Sequence, residues 1–151
     1  MIEAIINDAA RKYRGVIPAD RWHEPYMPRA QLDDEIRAGV EFWALEEAGK
    51  ILGVMGLQDV KDATLIRHAY VRTDLQRSGI GGALMRELVP KARHRLLVGT
   101  WAAAEWAIRF YQRHGFRLVE SEEEKDRLLS AYWTISPRQR ETSVVLTRAD
   151  Q

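Results

Sequence analysis

Ala69-Tyr70-Val71-Arg72-Thr73-Asp74-Leu75-Gln76-Arg77-Ser78-Gly79-Ile80-Gly81-Gly82 links two segments of different period through a glycine-rich turn. Residues 64–71 before it read as a strand. After it, Ile80, Leu84 and Leu88 share one face of a helix predicted over residues 79–94. Glycines let a backbone come close to a ligand because no Cβ intervenes. The first turn of a helix adds N–H groups without helical acceptors and the positive end of the helix dipole, so the arrangement suits a phosphate or diphosphate. Arg72 and Arg77 would add charge-assisted contacts to phosphate oxygens. A helix packed tightly on its sheet would use the same glycines with no ligand present. Two other phosphate loops fail on pattern. A Walker loop needs a lysine after its last glycine, which is missing here. A dinucleotide fingerprint needs the first strand of a parallel unit, and the strands before this turn read as a meander.

Upstream, Ile2, Ile5, Ile6, Ala9 and Tyr13 recur at helical spacing and predict an amphipathic helix ending near Gly15. Residues 16–29 contain Pro18, Pro25 and Pro28 and read as a loop carrying aromatics. Leu32, Ile36 and Val40 mark a short second helix. Strands are predicted at 41–45 and 51–57, joined by a turn at 46–50, and a turn at 59–62 leads into the strand at 64–71. Downstream, the pattern predicts a strand at 96–100, a helix at 102–114 stopped by Gly115, and a strand at 116–120. A helix capped by Ser121 follows, running to about Trp133, and a last strand at 142–147. The class is α/β (α+β), with a meander first and a strand–helix–strand unit after it, in one domain over residues 1–151.

Composition narrows the function. The chain is 46% hydrophobic and 30% charged, enough to bury an ordinary core. Its 23 basic and 22 acidic side chains nearly cancel, which argues against a nucleic-acid module. The lack of cysteine excludes disulfides, a thiolate nucleophile and cysteine-ligated metals. His23, His68, His94 and His114 show no metal-ligand spacing, so no metal is expected. No signal peptide or stretch of membrane-spanning length is visible, so the expected location is cytoplasmic, with no membrane partner. Arg86, Lys91, Arg93, His94 and Arg95 read as a solvated helix end.

Gln76-Arg77-Ser78-Gly79-Ile80-Gly81 resembles the Q/R-x-x-G-x-G/A diphosphate motif of the GNAT superfamily of N-acetyltransferases. Ala107-Ile108-Arg109-Phe110-Tyr111-Gln112-Arg113-His114-Gly115-Phe116 is similar to the A-x-x-F-Y-x-x-x-G-F signature of the same superfamily. The two elements stand in the expected order with the strand at 96–100 between them, and the resemblance spans about residues 39–147. It implies a mixed, mostly antiparallel central sheet flanked by helices, and acetyl-CoA as co-substrate. It places the pantetheine against the backbone of Ala69, Tyr70 and Val71, and the diphosphate on Gln76, Arg77, Ser78, Gly79, Ile80, Gly81 and Gly82. It also implies Tyr111 as the general acid that protonates the leaving thiolate; the rival reading of Tyr111 is a core aromatic at helical spacing. Members often pair as homodimers, which is the expected state.

The chain departs from the family pattern in three places. Ala104 stands where many members have asparagine. Val98-Gly99-Thr100 lacks the glutamate base that some carry. The short strand that usually opens the fold is missing, so the sheet is expected to start at Glu41. The base is therefore open among Glu24, Asp59 and His68. Glu24, within Trp22-His23-Glu24-Pro25-Tyr26-Met27, falls where the acceptor-binding loop would be. An aromatic and acidic cluster there suits an amine, and a proline-braced cover for the core is its rival reading. His68 shares a strand face with Ile66 and Tyr70, where a structural role competes, and Asp59 fits a turn cap. The expected acceptor is a primary amine of a small, amino-acid-like molecule, because the 121–140 segment and the proline loop would crowd the acceptor side. A protein N-terminus or lysine is the alternative acceptor, and a CoA-binding regulatory protein without turnover is the alternative of another class.

Overall fold

Short turns between alternating apolar runs dictate the first half of the sheet. In the computed structural model, which describes residues 2–16, 26–71, 79–133, 135 and 137–148, β1 (Glu41–Glu47) and β2 (Lys50–Val60) pair antiparallel. The turn is the two-residue Ala48-Gly49, with φ of 53° and 79°. Positive φ at both central positions matches the twist of the flanking strands, which is why this loop is tighter than the expected 46–50. β3 (Ala63–Val71) follows the equally tight Lys61-Asp62. β4 (Arg95–Trp101), β5 (Arg117–Leu118) and β6 (Ser143–Arg148) complete a six-stranded sheet of order β1-β2-β3-β4-β6-β5, with β6 antiparallel to both β4 and β5. This is the expected mixed, mostly antiparallel sheet, and its first described strand begins at Glu41.

The helices are α1 (Ile2–Ala10), α2 (Arg29–Arg37), α3 (Ile80–Leu88), α4 (Glu105–Arg113), α5 (Glu122–Tyr132) and α6 (Pro137–Glu141). Several bounds differ from the sequence expectation for physical reasons. α2 stops before Val40 and leaves Ile36 46% exposed, so the three-residue apolar face does not form. α3 gives way at Val89–Lys91 to a 3-10 turn containing Pro90. α4 starts three residues late because the Ala102 amide bonds the Thr142 carbonyl at 2.8 Å. β5 is only two residues long, and the Val119 amide still reaches the Val145 carbonyl at 2.9 Å. α5 is capped as expected, the Glu124 amide donating to Ser121 Oγ at 3.2 Å. The brief α6 has no sequence counterpart; the Ser143 hydroxyl closes it by donating to the Gln139 carbonyl at 2.6 Å.

The chain forms two compact units, Met1–Gln58 with Ile66–Ala92, and Asp59–Leu65 with Arg93–Gln151. The first has a core of Ile5, Ile6, Met27, Leu32 and Val54, bordered by Phe42 and Tyr70. Asn7 ties the chain entering α2 to α1: its amide nitrogen donates to the Met27 carbonyl at 3.0 Å and its oxygen accepts from the Met27 amide at 2.6 Å. The second has a core of Ala63, Leu65, Leu97, Val119, Leu128, Leu129 and Val145, with Trp133 and Ile135 packed on it.

Two glycines on β2 permit close packing in the first unit. A Cβ on Gly53 would meet Ile80 Cγ2 at 3.0 Å and Leu84 Cδ1 at 3.2 Å, so α3 lies directly on this strand. A Cβ on Gly56 would stand 2.9 Å from both the Arg67 carbonyl oxygen and Val40 Cγ1. The oxygen is backbone and cannot rotate away. Gly56→Ala is expected to cost about 1–3 kcal/mol, as overpacking does. Thermal unfolding should show a melting point lower by roughly 2–4 °C per kcal/mol lost; an unchanged melting point would mean that β3 yields freely at Arg67.

Candidate functional site

The glycine-rich turn ends in a helix start capped by Gly79. Gly79 is the N-cap of α3, with φ of 87°, a backbone region that glycine enters without steric cost. It makes no side-chain cap, and the first turn carries no acidic residue. The first intrahelical bond runs from the Ala83 amide to the Gly79 carbonyl at 3.0 Å. The amides of Ile80, Gly81 and Gly82 therefore precede any helical acceptor and lie at the positive end of the dipole. Among the described residues, a Cβ at Gly79 would meet nothing within 4 Å. These features fit a diphosphate. Arg72, Gln76, Arg77 and Ser78 lie outside the described residues, as does Glu24.

Ala69, Tyr70 and Val71 end β3 in the same unit, with Tyr70 packed against its core. Just before them the strand is distorted: His68 has φ of 56°. A non-glycine residue in the left-handed region costs of order 1–3 kcal/mol and persists only where neighbours impose it. Here the neighbours are identifiable. Nε2 of His68 bonds Oε1 of Glu35 on α2. Its ring stacks between Phe42 and Tyr70, with centroids at 6.0 and 6.3 Å. Arg67 Nη2 donates to the same Glu35 oxygen at 3.1 Å, and Gln31 Nε2 donates to Oε2 at 3.3 Å. Gln58 then holds Arg67, its Oε1 accepting from Nη1 at 2.9 Å, while its Nε2 donates to the Ala38 carbonyl at 3.1 Å. Burial alone would raise the Glu35 carboxyl. The His68 hydrogen bond, the charges of His68 and Arg67, and the Gln31 hydrogen bond outweigh it and hold the group below the usual glutamate range.

Sequence reading raised His68 and missed Glu35. Glu35 lies 33 residues away on a mostly polar helix, and no local pattern links the two. Asp59, the third candidate base, accepts from the Thr64 hydroxyl at 2.8 Å across the β2–β3 hairpin, which is the turn role.

Tyr111 belongs to the second unit. It is buried in α4, with edge contacts to Phe110 at 5.3 Å and Phe116 at 5.5 Å between centroids. Ala104 is the fully buried N-cap of α4 and supplies no side-chain bond there. On β4, a Cβ at Gly99 would lie 3.3 Å from the Trp133 indole. Among the described residues, no cluster of three His, Asp or Glu could hold a metal, and no helix is long and apolar enough to cross a membrane.

The fold agrees with comparisons to known proteins. A family model described as an acetyltransferase (GNAT) domain matches residues 7–132, and the chain belongs to this family. It is 31% identical over 87 residues to the peptidyl-lysine N-acetyltransferase YiaC of Escherichia coli K12, a match spanning 58% of this chain and 57% of that protein. It resembles a GNAT family acetyltransferase from Elizabethkingia anophelis, solved with acetyl-CoA bound, with TM-score 0.62 and 22% identity over 82% of this chain and 84% of that one. It also resembles a GNAT family acetyltransferase from Staphylococcus aureus Mu50, with TM-score 0.69 and 16% identity over 97% of this chain and 89% of that one. The two structural likenesses establish the fold.

Glu35 has a pH-dependent stabilising role that can be measured. A carboxyl held below its ordinary range stabilises the fold above that range, and the contribution is lost as pH falls through the lowered folded value. Glu35→Gln is therefore expected to cost about 1–3 kcal/mol near neutral pH. Urea unfolding of the two proteins should diverge at pH 7 and converge toward pH 3; a gap that stays constant would deny the ion pairing.

Proposed function

We propose that the protein transfers the acetyl group of acetyl-CoA to a primary amine of a small, amino-acid-like molecule by direct attack in a ternary complex. The observation that carries this reading is the uncapped, acid-free start of α3 directly after β3, together with membership of the acetyltransferase family. The amides of Ile80, Gly81 and Gly82, with Gln76, Arg77, Ser78 and Gly79, hold the diphosphate. The backbone of Ala69, Tyr70 and Val71 lines the pantetheine. The amine nitrogen attacks the thioester carbonyl, the carbon–sulfur bond breaks, and the Tyr111 hydroxyl gives its proton to the thiolate. Preference for a small acceptor is supported by the segment between β5 and β6, which folds back so that Trp133 lies on Gly99 of β4 and Ile135 joins the second core. The peptidyl-lysine alternative is favoured by the similarity to YiaC.

Free CoA release measured with acetyl-CoA decides among these readings. Amino acids and polyamines should support turnover, and a blocked peptide with one lysine should not. Turnover on the peptide alone would move the assignment to protein lysine. CoA binding with no release for any amine would leave a binding protein.

Two variants test the roles. Tyr111→Phe keeps the ring contacts with Phe110 and Phe116, so CoA affinity should hold while kcat drops about 100-fold or more and the alkaline limb of its pH profile disappears. An unchanged profile would return Tyr111 to the core. Gly81→Asp puts a carboxylate in the first turn of α3, where it suits the helix dipole but repels a diphosphate. Calorimetry should find CoA binding at least about tenfold weaker, a difference of about 1.4 kcal/mol, with no fall in melting temperature.

A further inference from the structure

Three residues are candidates for the base that deprotonates the acceptor. Asp59 is committed to Thr64, and Glu24 lies outside the described residues. His68 immediately precedes the strand end proposed to line the thioester donor, and it belongs to the unit that holds that strand end and the start of α3. Its left-handed backbone is an imposed strain, and such strain collects where a side chain must be aimed.

The direction of its proton follows from its partner. An ionised carboxylate only accepts hydrogen bonds. Glu35 also accepts from Arg67 and Gln31, and the Arg67 charge favours its ionised form. Nε2 of His68 must therefore be the donor in their contact. In a neutral imidazole the other nitrogen, Nδ1, then carries the lone pair. Among the described residues the bond to Glu35 is the only side-chain hydrogen bond of this ring.

We propose that Glu35 holds His68 in its Nε2–H tautomer, so that Nδ1 is the acceptor for the proton of the substrate ammonium, directly or through one water. His68 is the base and Glu35 is a positioning residue; the inference rests on the acetyl-transfer reading above. The ammonium N–H bond breaks, its proton passes to Nδ1, and the freed electron pair attacks the acyl carbon. The carbon–sulfur electrons leave with the thiolate, which takes the Tyr111 proton, and the second proton shed by the acylated nitrogen as the amide forms restores the Tyr111 hydroxyl. The imidazolium so formed faces the Glu35 carboxylate, which offsets its charge. Among the described residues, Arg67, bonded to the same Glu35 oxygen, and Tyr70, stacked on the ring, also face the pair. Arg67 opposes the imidazolium, and its second bond, to Gln58, fixes it on Glu35.

The test has one arm that needs no turnover. A long-range 1H–15N correlation spectrum of the free protein, with the His68 signal assigned by its loss in His68→Asn, should show the Nε2–H tautomer. Glu35→Gln should lose that preference. A wild-type ring in the Nδ1–H form overturns the proposal. In the second arm, asparagine at 68 tolerates the left-handed backbone, so the variant should fold and still bind CoA, with a melting temperature lowered no more than that of Glu35→Gln. With the amine giving fastest CoA release, kcat/KM of His68→Asn should fall by about 10²–10⁴ and lose its acid limb. In Glu35→Gln the fall should be smaller, and the acid limb should move to lower pH, because the imidazolium has lost its carboxylate. Full turnover with an unchanged pH profile in His68→Asn leaves His68 structural while the acetyltransferase reading stands. A wild-type protein that releases no CoA with any amine overturns both.

Discussion

Much of the first unit depends on one local departure of β3 from regular pleating. At His68 the backbone turns into the left-handed region, an unfavourable state that isolated strands avoid. Four neighbours surround it. Gly56 has no Cβ and so admits the Arg67 carbonyl. Glu35 grips both His68 and Arg67 from α2. Phe42 and Tyr70 sandwich the imidazole. The same contacts fix α2 to the sheet, and Asn7 fixes the incoming chain to α1. Strain at one residue and docking of a helix are thus one network, so loosening any member is felt at the strand end that follows.

What could be read from the sequence was local. The strand, the glycines and the helix of residues 69–82 obey rules of period, capping and dipole that act within a few residues, so the uncapped start of α3 was visible in advance. Ser121 capped α5 by the same logic. The misses are non-local or too short for a period. Nothing beside Ala102 announces its bond to Thr142, which delays α4. Ala48 at positive φ hides a two-residue turn behind a residue not usually found there. α6 has too few residues to show a period. The Glu35–His68 contact joins a polar helix to a strand across the whole of β1 and β2, and only the folded chain reveals it.

Electrostatics is local in the same sense. A formal charge of +1 provides no long-range field to draw in an anionic donor. In the proposed reading, selection comes from the amides and dipole at the start of α3, interactions that act within a turn of helix and are screened beyond about 8–10 Å. The lack of any acidic residue in that first turn then has a functional sense: an acid there would stabilise the helix and also compete with the ligand.

The second unit bears on where a base can sit. Residues 98–100 of β4 carry no carboxylate, and the middle position is crowded by Trp133. The Trp133 indole lies where a Gly99 side chain would begin, 3.3 Å from an added Cβ. A glutamate there would have to displace an aromatic that, with Ile135, borders the core of Leu97, Leu128 and Leu129. Packing thus crowds a side chain at Gly99, and in the proposed reading the proton acceptor comes from another element. His68 on β3 already has a carboxylate partner in place.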